Sequence, residues 1–172
     1  MDDDRMDDDM KDDARGAQRR QIVALMELLF FAYRDFISDP DTMLAALGMG
    51  RAHHRVIHFT GRHPGLKVSE LLSILGITKQ SLGRVLRELI DRGYVYQEEG
   101  DRDRRQRLLF LTEKGRRLHD ELAAPQVERL SRALEEAGPG AAEAFGGVLL
   151  AMTDAAGRDM VRRLTGWEKG DG

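Results

Sequence analysis

The chain has 172 residues, 41% of them apolar, and a formal net charge of −3. That length suits one domain with a sizeable core, or a small domain plus an assembly surface. Cysteine is absent, which excludes disulfides, Cys-ligated zinc, iron–sulfur clusters, a thiol nucleophile and cysteine redox sensing, and fits the cytoplasm.

The net charge hides an asymmetry. Residues 1–13 hold eight Asp against Arg5 and Lys11, so the rest of the chain carries +3. Between residues 76 and 117 there are eleven Lys or Arg and seven Asp or Glu, a local +4. Local charge is what a partner meets, because salt screens beyond ~8 Å. The acidic first residues read as a low-complexity, disordered tail and are the opposite of a secretory signal. No apolar run approaches the ~18 residues of a membrane span.

Residues 18–37 are expected to form a helix, because Ile22, Leu25, Met26, Leu29, Tyr33 and Phe36 recur at helical spacing. Ser38-Asp39-Pro40 is expected to stop it, with an extra helical turn over 41–47. A second helix is expected over 50–60 and a short strand at Lys67 and Val68. Two helices follow, over 69–75 and 78–92, ended by Gly76 and Gly93. Residues 94–98 and 107–111 have strand composition and flank a charged hairpin tip at 99–105. Thr112 then caps a long helix through about residue 137, in which Pro125 predicts a kink or break near Leu122. One last helix is expected over 141–164, striped by Phe145, Leu149, Met152, Met160 and Leu164. Trp167 lies beyond that stripe, where it can cover an edge or stay exposed.

Residues 71–78, Leu-Leu-Ser-Ile-Leu-Gly-Ile-Thr, have the grammar of a helix-turn-helix. Gly76 supplies positive φ, Ile77 plugs the angle between the helices and Thr78 caps the second helix. In that helix Leu82, Val85, Leu86 and Leu89 face inward, which leaves Lys79, Gln80, Ser81, Arg84 and Arg87 outward. Residues near the N-terminal end of such a helix reach base edges, where Gln suits adenine and Arg or Lys suits guanine. The hairpin tip adds Arg102, Arg104 and Arg105, interleaved with Asp101 and Asp103. A basic ribbon tip suits a minor groove. The candidate DNA-binding residues are therefore Thr78, Lys79, Gln80, Ser81, Arg84, Arg87, Arg102, Arg104 and Arg105.

These residues resemble the MarR family of bacterial transcriptional regulators. The likeness rests on Leu75-Gly76-Ile77-Thr78, Ser81, Arg84, Leu89, Arg92-Gly93-Tyr94-Val95, residues 101–105 and Leu111-Thr112-Glu113-Lys114-Gly115. With the flanking helices it spans residues 18–164. It implies a mainly α fold with a small β-hairpin wing, and a homodimer built from the first and last helices. It also implies a pseudo-palindromic double-stranded DNA site and release by a small phenolic or lipophilic effector. Two positions depart from the family pattern. Gly83 stands where Ser or Thr is common. Gly100 stands where an Asp often precedes the wing arginine, so Arg102 is favoured over Arg104 as the minor-groove residue.

The division expected is an acidic tail over 1–13, an N-terminal dimerisation region over 14–48 and a winged helix-turn-helix over 49–115. C-terminal dimerisation helices over 116–166 and a tail over 167–172 complete it. The apolar stripes of the terminal helices exceed what a ~60-residue module can cover, and burying them would drive association.

His53, His54 and His58 cluster on the second helix, and His54 and His58 share a face. That spacing can bind metal or haem iron, which makes a haem- or metal-sensing regulator the alternative on the same fold. A zinc-protease reading fails, because no Glu follows His54. Their plainer role is to line a surface or pocket, where His54, His58 and Arg34 are effector candidates. A winged-helix protein–protein module is a further alternative, suggested by the acidic tail. No nucleophile elbow, P-loop or dinucleotide fingerprint occurs, so neither enzyme chemistry nor a cofactor is expected.

Overall fold

The computed structural model describes residues 3–100 and 103–167. Seven helices and three strands lie among them. In chain order they are α1 (Asp3–Ala46), α2 (Arg51–Arg62), β1 (Leu66–Lys67), α3 (Val68–Leu75), α4 (Lys79–Asp91), β2 (Val95–Glu99), β3 (Arg107–Leu111), α5 (Glu113–Ala137), α6 (Ala141–Met152) and α7 (Ala155–Thr165). The fold is mainly α with one small antiparallel sheet, as expected. Two compact units divide the chain, Met1–Asp39 and Pro40–Gly172, and α1 crosses their boundary.

The first unit is the longer part of α1. Its apolar residues Leu25, Met26, Leu29, Phe30 and Tyr33 are all exposed. The helix differs from expectation at both ends. It begins at Asp3, within the stretch expected to be disordered. Acidic sequence at a helix N-terminus is favoured by the macrodipole, which offsets the poor helix propensity of Asp. It also continues through Pro40 to Ala46. Proline inside a helix costs ~3 kcal/mol, but Pro40 is fully buried, and that burial offsets the lost hydrogen bond.

In the second unit, Leu71, Leu75, Leu82, Val85, Leu86 and Leu89 from α3 and α4 pack with Val56, Ile57, Leu109, Leu118 and Leu122. The sheet order is β1-β3-β2, and β3 pairs with both neighbours. The register sets Leu66 opposite Leu109 and Glu99 opposite Arg107. On β2 and β3, Tyr96 stacks on Phe110 at 5.4 Å. Of the kink or break expected near Leu122, the break does not occur: α5 runs through Pro125 as one helix. Leu118 and Leu122 anchor the preceding turns in the core. The single last helix expected is instead two. Thr153 leaves α6 in an extended conformation, and its hydroxyl donates to the Leu150 carbonyl at 2.7 Å. Arg158 Nη2 donates to the Thr153 carbonyl at 2.9 Å, tying the start of α7 back to that turn. Trp167 folds onto α6 at Gly146, where a Cβ would collide with the indole.

One joint holds the wing to the helix before it. Gly93 has φ +71° and turns the chain out of α4. The Tyr94 N–H donates to the Leu89 carbonyl at 2.9 Å, and the Thr112 N–H donates to the Tyr94 carbonyl at 3.0 Å. Thr112 Oγ1 donates to the Gly93 carbonyl at 2.7 Å and accepts from the Gly115 N–H at 3.0 Å, capping α5. Lys114 Nζ donates to the Arg92 carbonyl at 2.9 Å and lies 4.2 Å from the Tyr94 ring centre. Gly115 is packed so tightly that a Cβ would collide with the Tyr94 carbonyl oxygen. Overpacking against rigid backbone costs 1–3 kcal/mol. Gly115→Ala is expected to lower unfolding stability by about 3 kcal/mol, read by urea denaturation. A change within experimental error would show that the joint is slack.

Candidate nucleic-acid interface

The turn between α3 and α4 has the geometry its sequence dictates. Gly76 sits at φ 60°, and its N–H donates to the Leu72 carbonyl at 3.1 Å. Thr78 caps α4, its hydroxyl accepting from the Ser81 N–H at 3.2 Å and donating to Ser81 Oγ at 2.9 Å. Leu82, Val85, Leu86 and Leu89 are buried. That burial fixes the helix's rotation and leaves Lys79, Gln80, Arg84 and Arg87 exposed, with Ser81 half-buried.

Cations of the second unit fall into paired and unpaired sets. Arg51, Arg92, Arg107, Arg117 and Arg163 each pair with a carboxylate. Among the described residues, Lys79, Arg84, Arg87, Arg104 and Arg105 have no carboxylate within ion-pair distance. Their charge is available to a partner. A groove between α4 and the hairpin is lined by Lys79, Arg87, Arg105 and Arg107, with Gly83 and Leu86 among the residues of its α4 wall.

The wing tip is closed by backbone. The Gly100 N–H donates to the Gln106 carbonyl at 3.1 Å, and the Gln106 N–H donates to the Asp103 carbonyl at 2.9 Å. Asp103 Oδ1 accepts from the Arg105 N–H at 3.0 Å. Asp103 therefore braces the loop backbone. Gly100 is buried, and a Cβ there would lie 3.0 Å from the Asp103 carbonyl oxygen, a local reason for glycine at the position that departs from the family pattern. Arg104 and Arg105 are exposed. Arg102, favoured from the sequence as the minor-groove residue, and its neighbour Asp101 lie outside the described residues.

The three clustered histidines of α2 separate. His53 faces α4: its Nδ1 accepts from the Gly50 N–H at 3.2 Å, so Nε2 carries the proton and donates to Glu88 at 3.0 Å. The hydrogen bond from His53 holds the Glu88 carboxyl below its ordinary range. His54 and His58 are half-buried on the other side, with ring centres 6.5 Å apart and edge-on. His58 stacks on His119 of α5 at 5.9 Å. No sequence signal marked His119, because it lies far along the chain. A Cβ at Gly61 would lie 2.6 Å from the His119 ring, so that glycine lets α5 seat its histidine. The space enclosed by His54, Ile57, His58, His119, Leu122 and Ala123 is too narrow for a ligand. Among the described residues no group of three or more His, Asp or Glu is placed to hold a metal ion. Arg34, in the first unit, pairs with Asp35 at 2.8 Å and lies over the Phe31 ring.

A helix-turn-helix whose second helix and adjoining hairpin carry exposed, unpaired cations defines a winged helix-turn-helix protein. Comparison with known proteins agrees. A family model described as MarR family matches residues 47–106. The HTH-type transcriptional regulator PetP of Rhodobacter capsulatus is 54% identical over 77% of this chain and 80% of its own. The structure of NadR in complex with 4-hydroxyphenylacetate has a TM-score of 0.63 at 23% identity, covering 73% of this chain and 91% of that one. The S. aureus MepR–DNA complex has a TM-score of 0.59 at 17% identity, covering 74% and 94%. The chain belongs to the MarR family of winged helix-turn-helix transcriptional regulators. It is thus a DNA-binding regulator by class, and among the described residues no helix is long and apolar enough to cross a membrane.

Burial, with repulsion from His119 and His54, lowers the His58 pKa from 6.5 to about 4. An unfolded imidazole takes up its proton near pH 6.5, whereas the folded one resists to about pH 4. The unfolded state binds more protons in that window, so stability falls as pH falls through it. Thermal unfolding from pH 7 to 4 is expected to show this loss, with a shallower slope in His58→Gln. Equal slopes would remove His58 as its source.

Proposed function

We propose that this regulator is a homodimeric repressor that reads a pseudo-palindromic site and is released by a small phenolic or lipophilic effector. The observation that carries the DNA half is the set of unpaired cations on α4 and the wing. Lys79, Gln80, Ser81, Arg84 and Arg87 would face base edges and phosphates in the major groove, with Thr78 as the cap that sets the helix N-terminus. Arg104 and Arg105 would follow the wing into the minor groove, together with Arg102. MepR is a neighbour of the same fold whose structure contains DNA, which supports this reading.

The dimer half rests on exposed apolar surface. In the first unit, Leu25, Leu29, Phe30 and Tyr33 are exposed; in the second, Val127, Leu130, Phe145, Val148 and Leu149 are. Large apolar side chains left exposed in such numbers on helices point to an interface. Residues 14–48 and 116–166 would supply it. A two-fold dimer would hold two readers about one helical turn apart.

The effector half rests on family likeness. NadR, of the same fold, binds 4-hydroxyphenylacetate, a phenol, in its structure. His54 and His58 are candidate contacts, which would require α2 and α5 to part around the closed histidine cluster. Arg34 is a separate candidate cation.

Band-shift titration with the chain's own upstream DNA tests the first half. Arg84→Ala is expected to cost about 1–3 kcal/mol and relax base preference. Arg105→Ala is expected to weaken binding evenly and reduce the salt slope by about one. Neither variant differing from wild type would sink the assignment. Sedimentation tests the second half: wild type is expected at twice the chain mass of 19.4 kDa, and Leu29→Asp or Val148→Asp to shift it toward monomer. Unchanged mass in both variants would place the interface elsewhere.

A further inference from the structure

Gly83 lies in the interior of α4, where glycine is among the least favourable residues. A fold can require glycine for positive φ or for lack of room. Gly76 and Gly93 meet the first need, and Gly61 and Gly115 the second. Gly83 meets neither: it is not among the positive-φ glycines, and a Cβ there would touch nothing within 4 Å. The free protein has no structural use for this glycine.

Its position is distinctive. Lys79, Gln80, Arg84 and Arg87 surround it within one turn on either side, all exposed. Two recesses meet at this point. One opens toward the wing between Lys79, Arg87 and Arg105, the other lies between Gln80, Ser81 and Arg84, and Gly83 and Arg87 line both. The floor at Gly83 is bare Cα–H, because its N–H is taken by the helix. A phosphate would find no donor on that floor. Of the features a base pair shows in the major groove, the thymine C5-methyl is the apolar group that protrudes far enough to enter a recess.

We propose that Gly83 is a specificity-determining residue, forming a recess in the recognition helix that seats a thymine methyl while the surrounding side chains bond neighbouring bases or phosphates. The proposal rests on the DNA-reading assignment of α4. A Cβ at this position would occupy the space of the methyl, so alanine should improve the free protein and impair the complex.

The test uses the full chain and a duplex selected by wild type from random DNA, with a second version carrying deoxyuridine for thymine. Wild type is expected to lose about fourfold in affinity for each seated methyl removed. Gly83→Ala is expected to melt about 2–4 °C higher than wild type, to bind the thymine duplex about tenfold more weakly, and to match wild type on the deoxyuridine duplex. Equal binding of both proteins to the thymine duplex overturns the proposal, as does an equal deficit on both duplexes or a lower melting temperature. Arg84→Ala separates the two levels. If it loses binding while Gly83→Ala does not, only the recess fails. If wild type selects no sequence, the DNA-reading assignment fails and the recess with it.

Discussion

The Tyr94 carbonyl is crowded from two sides, by the N–H of Thr112 and by the bare Cα of Gly115. Tyr94 itself is tied to the end of α4 through the Leu89 carbonyl. The backbone of a single residue therefore joins the recognition helix, both long strands of the wing and the first turn of α5. The rest of the reader depends on this joint. A wing that slid against α4 would leave its arginines with no fixed distance to the residues of the helix. Two of the segments that carry the family likeness, Arg92-Gly93-Tyr94-Val95 and Leu111-Thr112-Glu113-Lys114-Gly115, supply most of this joint. Their role is mechanical, and the reading face inherits its geometry from them.

Charge is distributed to the same end. The chain as a whole is acidic, yet α4 and the hairpin carry uncompensated cations, Lys79, Arg84, Arg87, Arg104 and Arg105. Elsewhere arginines such as Arg51, Arg92 and Arg117 are matched by carboxylates, and exposed pairs of that kind contribute ~0–1 kcal/mol each. Leaving Lys79, Arg84 and Arg87 unmatched forgoes little folding stability and keeps their charge available. The open glycine in the middle of α4 follows the same pattern of a small folding cost accepted at the face proposed to meet DNA.

The reader was the most legible part of the sequence because its signals are local. The caps at Thr78 and Thr112, the positive φ of Gly76 and the alternation of strands around a charged tip each act within a few residues, and each appears in the structure. What escaped was set by tertiary packing or by weak punctuation. Pro40 and Pro125 read as breakers, yet burial of Pro40, and of Leu118 and Leu122 before Pro125, outweighs the lost hydrogen bonds. The Thr153-Asp154 corner is a faint signal, and one helix was expected where α6 and α7 turn. His119 joins His54 and His58 across more than fifty residues, and no spacing rule finds such a partner. The tightness of Gly115 was equally invisible, because glycine after a helix cap looks like any other first-turn residue.

The central claim is that α4 and the wing meet DNA together, as one rigid reader. Hydrogen–deuterium exchange of the full chain, free and bound to a selected duplex, tests it most directly. Slowed exchange is expected at the first two turns of α4 and across the hairpin from residue 95 to 111, appearing together at the same DNA concentration. Slowing confined to other segments, with α4 and the hairpin exchanging alike in both states, would contradict it.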